Sequence, residues 1–267
     1  MNTESFIGIF DSGVGGLAVV NTLSYLLPNE NFLYVADSKN FPYGTKTKSQ
    51  IEAFSKRIVK FLLGRNVKAI VVACNTVSSI AIPELKRIAY PIPVFGMIQA
   101  GARIAVKATK NKKVAVISTP LTARSHAYKK EIQKIDRDIK VFEIGSQRMV
   151  NLVEDGNSRK KYAYNLVRDK LKGVLSSKVD TLVLGCTHFP FLYKVVKNVV
   201  GEGIEIVDPS DELAEELKEF LEGKHFMNHS SIPSKKVFFT TGDAKEFLLK
   251  AKLFLKDPPQ RVYELDV

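Results

Sequence analysis

The chain has 267 residues, 45% of them hydrophobic and 25% charged, the balance of a folded protein long enough for two modest α/β domains or one large one. Apolar runs stay well short of the roughly 20 residues of a membrane helix. The opening MNTESFIG has no basic stretch followed by an apolar one, so a cytoplasmic protein is expected. The formal charge of +12 comes from 40 basic and 28 acidic residues, with the lysines scattered and clustered only slightly at Lys112–Lys113 and Arg159–Lys161. Without zinc-finger spacing, an RNP-like aromatic motif or a basic tail, this is a solvated surface that also attracts an anionic substrate, and no nucleic-acid or membrane partner is expected.

Along the chain, SFIGIF (5–10) is a continuous apolar run, as a strand covered on both faces requires, and it ends in Asp11-Ser12 and the glycine turn Gly13–Gly16. NFLYVA (31–36) is the next strand, followed by a helix in which Ile51, Phe54, Ile58 and Leu62 recur at helical spacing. AIVVA (69–73) runs into Cys74-Asn75-Thr76, and IPVF (92–95) follows. KVAVIS (113–118) ends in Ser118-Thr119; after IKVFEI (139–144), TLVLG (181–185) runs into Cys186-Thr187-His188, and IEIV (204–207) comes next. Ser210 reads as the N-cap of a helix whose positive end suits Asp211 and Glu212, and VFFTT (237–241) is the last strand. Strands alternating with helices predict a doubly wound α/β architecture with parallel sheets.

IGIFDSG (7–13) aligns with VAVISTP (114–120), and VVACNT (71–76) aligns with LVLGCTH (182–188) through the only two cysteines. Each pair follows the plan of strand, polar turn and helix. The expected architecture is therefore two pseudo-symmetric doubly wound parallel-sheet domains with the active site in the cleft between them. With the C-terminal tail returning to the first half, the domains would be 1–97 plus 208–267, and 98–207.

In such sheets ligands bind beyond the carboxyl ends of the strands, where helix N-termini favour anions and lower a cysteine's pKa. Asp11-Ser12, Cys74-Asn75-Thr76, Ser118-Thr119 and Cys186-Thr187-His188 all sit at such ends. In a reducing compartment the cysteines are expected to be free thiols, and each alone could be a small buried hydrophobe. DSGVGG is neither a Walker A loop nor a dinucleotide fingerprint, and Asp11 could simply cap the following helix. His188 has no second His or Cys at ligand spacing, so no metal is expected, and His126, His225 and His229 have no motif around them. A Cys186–His188 nucleophile pair would suit a hydrolase, but it leaves the equivalent setting of Cys74 unexplained. Inverting a stereocentre explains both: one thiol removes a proton from one face, and the other supplies one to the opposite face. A two-lobed solute-binding protein would share the architecture without the chemistry.

IGIFDSGVGGL (7–17), YVADSKNFPYG (34–44), VVACNTVSS (71–79) and LVLGCTHFPFL (182–192), in this order, resemble the cofactor-independent aspartate/glutamate racemase superfamily over nearly the full chain. Ser78-Ser79 and His188 favour its glutamate branch. The resemblance implies interconversion of L- and D-glutamate without cofactor, as a supply of D-glutamate for peptidoglycan, with another acidic amino acid such as aspartate as the alternative substrate. It implies Cys74 and Cys186 as the proton carriers, Asp11 assisting Cys74, and His188 and Glu154, in NLVEDG (151–156), assisting Cys186. Cys186 would deprotonate L-glutamate and Cys74 D-glutamate. Asp11, Ser12, Tyr43, Gly44, Asn75, Thr76, Thr119, Thr187 and His188 would bind substrate. Where the family usually has a glycine between two threonines, this chain reads Thr119-Pro120-Leu121-Thr122, and Thr122 is left without a role. A homodimer is the expected assembly.

Overall fold

A computed structural model describes residues 2–157 and 161–267; Arg159 and Lys160 of the second basic cluster lie outside the described residues. The chain begins with β1 (Phe6–Asp11), α1 (Leu17–Leu26), β2 (Phe32–Ala36), α2 (Lys48–Leu63), β3 (Val67–Val72), α3 (Asn75–Ser78), α4 (Ile82–Ala89), β4 (Val94–Gly96) and α5 (Met97–Ala108). It continues through β5 (Lys113–Ser118), α6 (Pro120–Ser125), α7 (Ala127–Ile135), β6 (Lys140–Gly145), α8 (Gln147–Glu154), α9 (Lys161–Ser176), β7 (Thr181–Gly185), α10 (Tyr193–Val200) and β8 (Glu205–Val207). The tail adds α11 (Pro209–Gly223), β9 (Lys236–Thr240), α12 (Ala244–Phe254) and β10 (Tyr263–Glu264).

The strands form two sheets, in the orders β10-β9-β2-β1-β3-β4 and β6-β5-β7-β8, and every pair is parallel. This is the expected parallel α/β architecture, and the nine predicted strands lie within two residues of observed ones. Strand β10, only two residues long, has no apolar run to announce it.

The continuous apolar runs follow from burial on both faces. Successive side chains of a strand point to opposite faces. In β3 and the residue after it, Ala69, Val71 and Ala73 join the core beneath α1 and α11, while Ile70 and Val72 join the one beneath α2 and α4. In β5, Ala115 and Ile117 face one layer while Val114 and Val116 face the other. Helix α2 starts with a capping box between Thr47 and Gln50 and buries Ile51, Ile58 and Leu62, part of the stripe predicted for it.

The cap of α11 corrects an expectation. Asp208, not Ser210, is the N-cap, and its carboxylate accepts a hydrogen bond from the Ser210 N–H at 2.9 Å. Pro209 moves the start forward, because its fixed φ and missing N–H suit the first helical position. Among the described residues, no helix is long and apolar enough to cross a membrane.

One buried polar cluster escaped the sequence analysis. Lys68, inside β3, has no exposed side-chain surface and pairs with the equally buried Glu30 at 2.5 Å. Its ammonium also donates to the carbonyls of Thr3 and Phe226, and Glu30 accepts from the Asn228 N–H at 2.8 Å. The cluster joins four separate segments at the amino end of the first sheet. Lys68→Met should therefore destabilise the protein by about 3–5 kcal/mol, because Glu30 is left as an uncompensated buried charge. Urea unfolding measures this; a loss below about 1 kcal/mol would show that the pair is not holding these segments.

Candidate active site

The carboxyl ends of the two sheets face one another, and side chains bond across the gap. Asp11, ending β1, accepts from the Gly13 N–H at 3.0 Å and from the Thr187 hydroxyl of the opposite half at 3.1 Å. It does not cap α1, whose N-cap is Gly16 with no side-chain bond. Burial pushes the Asp11 carboxyl above its usual range, outweighing the opposing effects of His188, Gly13 and Thr187. The glycines of the DSGVGG turn serve close approach. A Cβ on Gly15 would overlap the His188 ring and the Thr187 hydroxyl, so only glycine lets the two halves meet there.

Cys74 follows β3 at the N-cap of α3, where its side chain makes no capping hydrogen bond, and the nearby N–H groups of Val77 and Thr76 favour a thiolate. Sequence reasoning expected such a helix start to lower the thiol pKa. The structure reverses that expectation: burial, reinforced by the Asp11 charge, raises it well above the usual thiol range, and the two N–H groups only oppose the shift. Cys74 therefore keeps its proton at neutral pH.

Cys186 sits one residue beyond β7 in a different environment. Its sulfur lies 3.8 Å from His188 Nδ1, and His188 Nε2 lies 3.0 Å from Glu154 Oε2. Burial alone would lower the His188 pKa, but its bonds to Cys186 and Glu154 raise it to about 10, so the ring is an imidazolium at neutral pH. Burial would likewise raise Glu154, but hydrogen bonds and charge from His188 and Lys250 hold it below the usual carboxylate range. Glu154 is thus a mostly buried member of a relay and not a solvent-facing helix residue. Lys250, on α12, reaches Glu154 Oε1 at 3.2 Å and Glu246 at 3.0 Å. Sequence reasoning missed Lys250, which carries no motif and lies far along the chain.

Both cysteines are buried free thiols lining one cavity of about 10 Å³, room for about one water molecule. Ser12, Tyr43, Gly44, Asn75, Thr76, Thr119, Thr187 and His188 line it too, while Asp11 and Glu154 stand behind the lining. Phe41, Pro42, Gln147 and Val150 also border it and were not anticipated. The Tyr43 hydroxyl donates to Asp37 at 2.5 Å, so it is committed to the protein. The hydroxyls of Thr76, Thr119 and Thr122 form a buried ring with spacings of 2.9, 2.9 and 3.3 Å. Thr122 is thus kept beside the site despite Pro120-Leu121. Pro120 occupies the first turn of α6, where a missing N–H costs nothing, and Thr119 caps that helix. Asn75 offers a buried Nδ2 with no partner among the described residues. No group of three or more His, Cys, Asp or Glu able to hold a metal ion occurs among the described residues. One buried thiol that keeps its proton, a second paired with an imidazolium, and the unpaired Asn75 amide bordering the same cavity can accept a proton on one face of an anionic ligand and deliver one to the other.

A family model described as Asp/Glu/Hydantoin racemase matches residues 15–217. A glutamate racemase from Caldanaerobacter subterraneus subsp. tengcongensis is 38% identical over 261 residues, covering 98% of this chain and 97% of that protein. The crystal structure of a glutamate racemase isoform from Bacillus anthracis superposes with a TM-score of 0.95 at 34% identity, covering 100% of this chain and 99% of its own. The glutamate racemase from Francisella tularensis subsp. tularensis, solved with D-glutamate, has a TM-score of 0.92 at 31% identity, with 99% and 98% covered.

The relay behind Cys186 makes a prediction about charge. Glu154→Gln removes both a hydrogen bond and an anion from His188, so the ring should titrate roughly 1–2 pH units below its present value near 10. A 15N NMR titration of the His188 imidazole measures this, and an unchanged titration would show that Glu154 does not support the imidazolium.

Proposed function

The chain belongs to the Asp/Glu/hydantoin racemase family, and within that family we propose that it interconverts L- and D-glutamate by proton transfer at Cα between Cys74 and Cys186. The observation that carries the proposal is that the only two cysteines, from corresponding strand ends of the two sheets, line the same cavity. Glutamate as substrate is supported by the relatives named above and by the donor-rich lining.

In the L-to-D direction, the His188 imidazolium stabilises negative charge on the Cys186 sulfur, which takes the α-proton. The Cα–H electron pair moves into the α-carboxylate, giving an enediolate-like species. The Cys74 S–H then delivers its proton to the opposite face of Cα, and the S–H pair stays on sulfur. The D-to-L direction exchanges the roles. The Asn75 amide, the Ser12 hydroxyl and the backbone N–H groups of Thr76 and Thr187 donate to the carboxylates, where fixed dipoles in a water-poor site stabilise developing charge. The high pKa of Cys74 suits the acid role, and the imidazolium suits Cys186 to the base role.

A cavity of about 10 Å³ cannot hold glutamate. Substrate entry therefore requires the two domains, 1–97 plus 208–267 and 98–207, to separate, and reclosure excludes water from the reacting centre. The role proposed for the product is D-glutamate supply for peptidoglycan in the cytoplasm, from a homodimer that uses no cofactor.

Chiral analysis after incubation with L-glutamate or L-aspartate in deuterated water tests the reading. Early D-glutamate should carry deuterium while remaining L-glutamate stays protiated, because the delivering thiol holds a solvent-derived deuteron. Faster turnover of L-aspartate would reassign the substrate, and early labelling of recovered substrate in both directions would argue for a single base. Cys74→Ala and Cys186→Ala should each lower turnover by about 10²–10⁴-fold or more, and near-normal turnover by either variant would remove that thiol from the mechanism.

A further inference from the structure

Tyr128, on α7, is fully buried in the core of the second half, and its ring lies against two glycines. A Cβ on Gly101 of α5 would lie 2.6 Å from the ring, and one on Gly185 at the end of β7 would lie 3.0 Å from it. Both contacts are closer than real side chains sustain comfortably, so these positions must stay bare for the ring to fit. The hydroxyl it carries donates to Asn75 Oδ1 at 2.6 Å, joining the second half of the molecule to the first. Burial pushes the phenol well above its ordinary range, so the hydroxyl keeps its proton and remains a donor.

The two ends of the Asn75 amide do not have equivalent surroundings. Oδ1 is held by Tyr128; Nδ2 is buried without a partner among the described residues, and Asn75 borders the cavity beside Cys74 and Thr76. Turning the amide over would leave the Tyr128 O–H with no acceptor among the described residues. It would also point a carbonyl oxygen at the carboxylate of a bound anion. Each consequence costs the desolvation of an unpaired polar group. We propose that Tyr128 is a positioning residue that locks the Asn75 amide with Nδ2 facing the cleft, as a donor to a carboxylate oxygen of glutamate, and thereby sets substrate affinity. This rests on the glutamate racemase reading above. Tyr128 acts through Asn75 and moves no proton.

The test compares wild-type protein, Tyr128→Phe, Asn75→Ala and the double variant in steady-state racemisation from both enantiomers. Tyr128→Phe removes one oxygen and should raise KM about 10-fold for L- and D-glutamate alike, with kcat within about 3-fold, the signature of lost uniform binding. Added to Asn75→Ala, it should change KM less than about 2-fold, because the amide it positions is gone. An unchanged KM in Tyr128→Phe, a fall in kcat without a rise in KM, or a full additional penalty in the double variant would each overturn the proposal. If Tyr128→Phe does not accumulate as folded protein, Tyr128→Met is read in the same way. Independently, 15N-asparagine-labelled wild type should show a glutamate-induced shift of the Asn75 Nδ2 resonance, assigned by its absence in Asn75→Ala, and an unmoved resonance would also overturn it. Wild type that fails to racemise glutamate defeats the functional reading, whereas active wild type with an unaffected Tyr128→Phe defeats this inference alone.

Discussion

Parallel pairing is the constraint on which the rest of the molecule depends. When every strand of a sheet runs the same way, all the turns from strand to helix fall on one edge, and exposed N–H groups gather there. Here two such edges face each other. They are joined by Asp11 with Thr187, Thr76 with Thr119, and Asn75 with Tyr128. Residues separated by a hundred positions thus line one small cavity because each lies just beyond a strand end. Glycine at position 15 is part of this constraint, since a side chain there would hold the two edges apart.

Within this near-symmetric frame the two thiols acquire different electrostatics. Cys74 has a carboxylate behind it and little else, and burial keeps its proton in place. Cys186 has an imidazolium, which is itself secured by Glu154 and Lys250. The backbone plan of strand, turn and helix is shared, so the difference comes from His188 in the turn itself and from the side chains of α8 and α12 that hold it. Two groups of one chemical type thereby sit in unlike surroundings, which suits the acid and base roles proposed for them.

Two sets of buried polar groups differ in how they are satisfied. At the amino end of the first sheet, Lys68 and Glu30 satisfy one another and groups of two further segments, as buried charges in a folded core must. At the carboxyl end, Asn75 Nδ2 and Gln147 Oε1 remain unpaired although they are buried. Structural polar groups are rarely left in that condition. Unpaired groups bordering the cavity are therefore read as interactions reserved for a ligand, and both thiols line that same cavity.

The parallel α/β class was legible in the sequence because strands covered on both faces must be apolar at consecutive positions, as in VKAIVV and KVAVIS. The repeated strand-to-turn pattern placed Cys74 and Cys186 at corresponding strand ends, and the four motifs marked the turns around them. Lys68 was illegible for the same reason that β3 was clear: a lysine in an apolar run looks like an outward-facing residue, and only the packed segments around it show that it is buried. Lys250 and Tyr128 were hidden as well. Their partners lie 96 and 53 residues away, and helical periodicity records which face is buried but not which atom it meets. The direction of the Cys74 shift was likewise decided in three dimensions. A helix start is visible in sequence, whereas desolvation and the charge of Asp11 depend on how completely the two halves close over the thiol.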